Sequence, residues 1–379
     1  MPRPLLRLFA LATLALSAQT SACAQVVPPK ALPDSIADLG ALVSQLSEVG
    51  GYFDTDNLIS NESGYQQVLG AMDRIGVRGG AYIGVGPDQN YTYIARVRPR
   101  IVFVVDIRRD NMLEHLLFKA LFARAANRAE YLALWAGRPL PANSATYASR
   151  PINAIVAWVD SMVPTPESIA RAKSVVSAEV AKTGIALTAQ DLATVARFHD
   201  EFIKDGLSLQ FTSQGRSARP YYPTLRQLIL EHDASGAQRG YFATEDDFQY
   251  IKSLHRRNLI VPVTGDLSGA RALPSIGAYL REHGASVSVL YASNVEDYLI
   301  RYGRFGGYAA VVKALPRDTN AVMIRSYFGG GYGHPESTSE YYATQILQRM
   351  DRFAADIAVG EVRSYRDLTT RDFVPSRKP

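Results

Sequence analysis

Ala81-Tyr82-Ile83-Gly84-Val85-Gly86-Pro87-Asp88-Gln89-Asn90 opens the stretch that decides the fold, and Ile101-Val102-Phe103-Val104-Val105-Asp106 closes it. The first run reads as a short buried strand entering a Gly-rich bend, with a helix over 88–98 behind it. Pro99-Arg100 breaks that helix. The second run is apolar and largely β-branched, the pattern of a strand buried on both faces of a parallel sheet. A helix over 111–126 follows, with Met112, Leu116, Leu117 and Leu121 in helical register. Strand, bend, helix, strand, acid, helix is the βαβ unit of a nucleotide-binding half-fold. Gly84 and Gly86 lack Cβ atoms, so the chain can bend tightly and a ligand can lie against backbone. The helix behind them begins with unpaired N–H groups. Asp106 stands 22 residues beyond Gly84, where its carboxylate can accept both hydrogen bonds of a ribose diol. Without a ligand, the same pattern is a tight turn beside a capping aspartate.

Toward the N-terminus, a helix is expected over 35–49, ended by Gly50-Gly51, and a second from about Ser63, capped by Asn61 or Ser63. Beyond residue 131 the pattern changes. Helices over 165–182 and 188–204 stand among loops rich in Pro, Ser and Tyr, with no clear buried strand. Strand signals resume at Leu259–Val263, where Pro262 weakens the reading, and at 286–291 and 321–328. Helices are expected over 244–258, 275–283, 294–314 with a break at Gly306-Gly307, and 337–357. A short strand is expected over 361–365. The resulting division is a 1–24 leader, a 25–75 helical segment, and the first half of a Rossmann-like domain over 76–130. A helical insertion or cap over 131–243, the second half over 244–345 and a C-terminal helix and tail over 346–379 complete it. The fold class is α/β, a Rossmann-like, mostly parallel sheet with a helical insertion.

Arg3 and Arg7, the apolar run Leu8–Leu16 and the small residues Ser17, Ser21, Ala22 and Ala24 form the three parts of a secretory signal. Ala22-Cys23-Ala24 fits cleavage before Gln25, so export, as to a periplasm, is expected. Lipidation at Cys23 is the alternative. Cleavage lowers the formal charge from +5 to +3, and the charges are dispersed, so neither nucleic acid nor an acidic membrane surface is expected as a partner. No membrane span is expected in the mature chain. Hydrophobic residues at 47% and charged residues at 20% suffice for a sizeable core. Cys23 is the one cysteine, so the mature body has no intrachain disulfide or cysteine nucleophile. Six scattered histidines without H-E-x-x-H, and no G-x-S-x-G, leave zinc and acyl-hydrolase chemistry unsupported. His115 reads as a packed or surface residue. Arg108 and Arg109 follow the acid and face either an anionic ligand or solvent. Tyr327, Phe328 and Tyr332 form either an aromatic rim or core.

A nicotinamide fingerprint needs a third glycine where Gln89 stands, and Pro87 follows the second. Class I S-adenosylmethionine-dependent methyltransferases hold no pyrophosphate over this turn, and the chain resembles them. Tyr82-Ile83-Gly84-Val85-Gly86 resembles their first motif, although Tyr82 stands where an acid is usual, and Asp106 their ribose-binding acid. Thr264-Gly265-Asp266 resembles the end of their third strand, Ser288–Leu299 the fourth strand with Asn294 at its tip, and Asn320–Phe328 the fifth. Asp56–Glu62 and Tyr82–Arg109 are similar to an uncharacterised bacterial family of this fold, and the resemblance spans roughly 50–345. It implies a fold of class I methyltransferase type and a cofactor, S-adenosylmethionine or a related nucleoside, held by Gly84, Gly86, Asn90, Asp106, Ile107, Asp266 and Asn294. Asn61, Glu62, Arg109 and Tyr327 are then substrate-side candidates, with capping the simpler role for Asn61 and Glu62. The implied activity is methyl transfer to an unspecified acceptor. The alternative is an exported, non-enzymatic binding module on a degenerate methyltransferase fold.

Overall fold

The structure, a computed structural model, describes residues 30–214, 216–329 and 333–377. The leader with Cys23, the Gly330-Gly331 part of the glycine run and Tyr332 lie outside the described residues. The N-terminal helices are α1 (Leu39–Leu46) and α2 (Leu69–Ile75). The βαβ unit is β1 (Ala81–Gly84), α3 (Asn90–Val97), β2 (Ile101–Asp106) and α4 (Arg109–Arg124). The connection to the next strand holds α5 (Arg128–Trp135), α6 (Ile152–Ser161), α7 (Pro166–Val180), α8 (Ala189–Asp205), α9 (Leu225–Leu230) and α10 (Glu245–Arg256). Then come β3 (Ile260–Thr264), α11 (Ala272–Glu282), β4 (Val287–Ser293), α12 (Val295–Arg301), α13 (Phe305–Ala314) and β5 (Arg317–Phe328). The chain finishes with β6 (Ala343–Arg349), α14 (Met350–Ala358), α15 (Tyr365–Thr370) and β7 (Phe373–Val374).

The seven strands form one sheet in the order β3-β2-β1-β4-β5-β6-β7. The first five are parallel, β6 runs antiparallel to β5, and β7 antiparallel to β6. The first six follow the doubly wound order 3-2-1-4-5-6, whose direction reverses between β1 and β4 and opens a crevice at the carboxyl ends. The expected α/β class and mostly parallel Rossmann-like sheet are therefore present. β2 is buried on both faces until Asp106, as its unbroken apolar run requires. Pro262 is tolerated because β3 is the edge strand, with one side of its backbone free of ladder partners.

Helix α4 is buried along most of its length because α5, α7, α8 and α10 pack around it as well as β2 and β3. Trp135 of α5 and Phe202 of α8 stack at 3.8 Å over Phe118 of α4. Thr165 and Thr188 start α7 and α8 with reciprocal capping boxes, each closing two unpaired N–H groups.

Three expectations are corrected. The single helix over 337–357 is instead β6 followed by α14, because Ala343–Gln348 pairs with β5 and is buried on both faces. The break in 294–314 falls at Tyr302–Arg304, and Gly306-Gly307 lie inside α13. In place of a strand over 361–365, α15 begins at Tyr365 behind a Ser364 cap.

Candidate functional site

Register puts the strand tips side by side: Gly84 is level with Val104 of β2 and Tyr291 of β4, and Asp106 with Thr264 of β3. The bend after β1 is closed by its own side chains. Gly86 turns with φ +77°, a conformation favouring glycine. Asn90 Nδ2 donates to the carbonyls of Val85, Gly86 and Pro87, and Tyr82 Oη donates to Asn90 Oδ1 at 2.8 Å. A Cβ on Gly84 would lie 2.0 Å from Asn90 Oδ1. Gly84 is thus required by Asn90 and Tyr82, which fill the space beside it.

At the tip of β2 the Asp106 carboxylate holds Arg108. Its Oδ1 accepts from the Arg108 amide at 2.9 Å and from Nε at 3.2 Å, and its Oδ2 from Nη2 at 3.2 Å. Arg108 Nη1 donates onward to the carbonyls of Thr55 and Asp56. Those carbonyls belong to a strap, residues 47–62, that crosses the carboxyl edge of the sheet. The Glu48 amide donates to Thr264 O, the Asp266 amide to Glu48 Oε1, and the Gly51 amide to Ile107 O at 2.7 Å. Asn57 Nδ2 lies 3.4 Å from where a Cβ on Gly86 would sit. At the far end Glu62, 2% exposed, accepts from Tyr291 Oη at 2.7 Å, Ser326 Oγ at 2.5 Å, Gln345 Nε2 at 3.1 Å and Ser293 Oγ. Arg197 of α8 fixes the strap from outside through Asp56.

The sequence candidates therefore divide. Gly84, Gly86 and Asn90 meet in one bend, and Asp106 and Ile107 lie beside it under the strap. Asp266 is at the same edge, accepting from Ser268 and paired with Arg304 at 2.7 Å. Asn294 follows Ser293, whose φ of +51° is unusual for a residue with a side chain. Asn61 is half-buried in the strap beside Glu62. Arg109 turns away from the crevice to a two-pronged pair with Asp191 of α8. Tyr327 is buried near His334, 6.1 Å between ring centroids.

Three titratable residues missed or discounted in the sequence reading lie in the bend or on α4 beside it. His115 lies on α4, and its Nε2 sits 3.0 Å from Gly86 O. A carbonyl only accepts, so Nε2 carries the proton and Nδ1 accepts from Tyr91 Oη at 3.2 Å. Tyr91 Oη in turn accepts from His255 Nε2 at 3.2 Å. Burial pushes the His115 imidazole down to about 4, so the chain is neutral. Asp88 accepts from Tyr241 Oη at 2.7 Å, and burial raises it to about 6 against that hydrogen bond, near the range of a working base. It lines a cavity of about 10 Å³, water-sized, with Tyr65, Gln89, Leu228 and Tyr241.

Glu114 is fully buried, and neither carboxyl oxygen has a hydrogen-bond partner. Burial raises its carboxyl well above the ordinary range; Arg108 opposes this, and Asp88, Asp106 and Asp56 reinforce it. A carboxyl raised on folding lends stability that is complete below its unfolded value near 4.5 and is lost as pH rises. Glu114→Gln removes this loss, so its melting temperature should exceed the wild type's by a margin that widens from pH 5 to pH 8. A constant or narrowing margin in paired melts would show that Glu114 does not titrate as stated.

Among the described residues no group of three or more His, Cys, Asp or Glu is placed to hold a metal ion, and no helix is long and apolar enough to cross a membrane. A family model described as a domain of unknown function, DUF7790, matches residues 57–145 and 193–374. The chain belongs to that family. The matched parts carry the whole sheet, the Gly86 bend, Asp106 and Glu114, and omit α1, residues 47–56 of the strap, α6 and α7. No curated protein matches the chain.

Proposed function

We propose that this DUF7790 protein binds S-adenosylmethionine or a related nucleoside at the carboxyl ends of β1 and β2, and transfers a methyl group. The observation that supports this most is the juxtaposition beside the point where strand order reverses. The Gly86 bend and Asp106 stand on neighbouring strands, each at the start of a helix, which is where open α/β sheets take ligands. The fit in residue type is good, but in this conformation Arg108 spans the Asp106 carboxylate and the strap lies over it. Ligand entry therefore requires residues 54–57 to lift off Arg108, which stays paired with Asp106.

Gly86, Asp106, Ile107, Asp266 and Asn294 would hold the donor, which supplies an electrophilic methyl on sulfonium when bound. What the chain itself must do is orient the acceptor and exclude water, and the strap with Arg108 suits both. An acceptor that must lose a proton has Asp88 at the same bend. A sheet of class I methyltransferase type and an exported location belong to this reading too, the latter resting on the leader sequence alone.

One observation favours a second reading, a non-enzymatic binding module on a degenerate fold: Asn90, Tyr82 and Arg108 satisfy the groups a nucleoside would use. Calorimetric titration of the purified protein with S-adenosylmethionine and S-adenosylhomocysteine separates the two. Micromolar binding that Asp106→Ala weakens at least about tenfold supports the methyltransferase reading. A folded protein that binds neither compound supports the second.

A further inference from the structure

We propose that Glu114 and Asn111 form the polar floor of this crevice and hold the sugar hydroxyls of an uncharged nucleoside, excluding phosphorylated nucleotides. The inference rests on the nucleoside reading above and names what that reading left open: which groups take the sugar, and which ligands are refused. Asn111, Glu114 and His115 occupy one face of α4, three and four residues apart, and His115 contacts Gly86 O. That face therefore looks onto the bend. Glu114 Oε1, Glu114 Oε2 and Asn111 Nδ2 are all buried without hydrogen-bond partners, and Gln89 Oε1 on the bend is a fourth such atom. Unpartnered buried polar atoms are costly, and four on the bend and the α4 face beside it mark a place where a polar ligand group restores what folding removed.

Asp106 is not the free acceptor here, since Arg108 takes both its oxygens. The unused capacity lies one helical turn further on. A carboxylic acid that stays protonated both donates and accepts, and an amide Nδ2 donates. This matches hydroxyl groups, which do both.

The surrounding charge sets the refusal. Asp56, Asp88 and Asp106 all act on Glu114, and Arg108 opposes them. Arg108 is already committed to Asp106, so a phosphate would meet carboxylates without a free cation.

The test is calorimetric titration of adenosine, 2′,3′-dideoxyadenosine and adenosine 5′-monophosphate into the wild type, Glu114→Gln, Glu114→Leu and Asn111→Ala. In the wild type, adenosine should bind at least about tenfold more tightly than either of the other two. Glu114→Gln, which keeps a donor and an acceptor, should stay within a few-fold. Glu114→Leu should lose that tenfold and no longer distinguish adenosine from its dideoxy form, and Asn111→Ala reports the same loss if the leucine variant does not fold. Wild-type binding of adenosine that neither variant alters overturns the Glu114 assignment and leaves the nucleoside reading standing. Equal binding of the monophosphate overturns the exclusion, and a wild type that binds no nucleoside overturns both readings.

Discussion

Replacing Arg325 with methionine should cost about 3–5 kcal/mol of folding stability, the range for breaking a buried ion pair by removing one partner. Arg325 of β5 and Glu296 of α12 are both without solvent exposure. The guanidinium donates to both Glu296 oxygens, and through Nη1 to Gln348 Oε1 at 2.8 Å, with its carbon 5.3 Å from the Phe353 ring centre. Arg325→Met leaves the buried Glu296 carboxylate without its cation and strips Gln348 of its donor. Replacing both partners, Glu296→Leu with Arg325→Met, should recover most of the loss, because an apolar pair of similar volume is often as stable. Urea denaturation of the wild type, both single variants and the double variant checks this as a thermodynamic cycle. A single-variant loss under about 1 kcal/mol would mean that the pair is solvated rather than sealed.

Glu62→Ala should cost about 3 kcal/mol or more, since it leaves three buried donors and the half-buried Ser293 hydroxyl without their acceptor. Tyr291 and Ser293 at the end of β4, Ser326 of β5 and Gln345 of β6 all converge on this one carboxylate. The loss should be localised as well as large. Amide exchange across residues 47–62 should accelerate more than exchange in β1 or β2, because Glu62 ties the strap's end to three strands. Glu62→Gln, retaining one acceptor oxygen, should fall between. A uniform rise in exchange across the sheet would show Glu62 to be an ordinary core residue and not an anchor.

The sheet was legible where burial on both faces wrote itself as an uninterrupted apolar run, as in 101–105, or where a bend needed glycines, as at 84–86. β6 was not, because Gln345 and Gln348 break its apolar pattern. Those two glutamines are buried only because Glu62 and Arg325 await them on other elements. Sequence periodicity carries no trace of such distant partners. The strap was missed for a related reason: its backbone bonds to strand tips without any repeat of side-chain character.

Of the candidate residues, Gly84, Gly86 and Asp106 were legible from spacing and stand at one edge, where Asn90 and Ile107, implied by the resemblance alone, lie with them. Glu62 was read as a cap or a substrate contact, and Arg109 as ligand- or solvent-facing; their partners, Tyr291 and Asp191, lie 229 and 82 residues away. Glu114 had a readable signal that went unused, an acid set among Met112, Leu113, Leu116 and Leu117 on a helix. Asp88 had none, since acids in turns are common.

The claim that the rest depends on is that a nucleoside enters beneath the strap, between the tips of β1 and β2. Hydrogen exchange on the full chain, with and without saturating S-adenosylhomocysteine, reads that location directly. Slowed exchange at 84–90 and 106–115, with altered exchange in 47–62, is the predicted result. Unchanged exchange in all three segments, or protection confined to another part of the molecule, would contradict it.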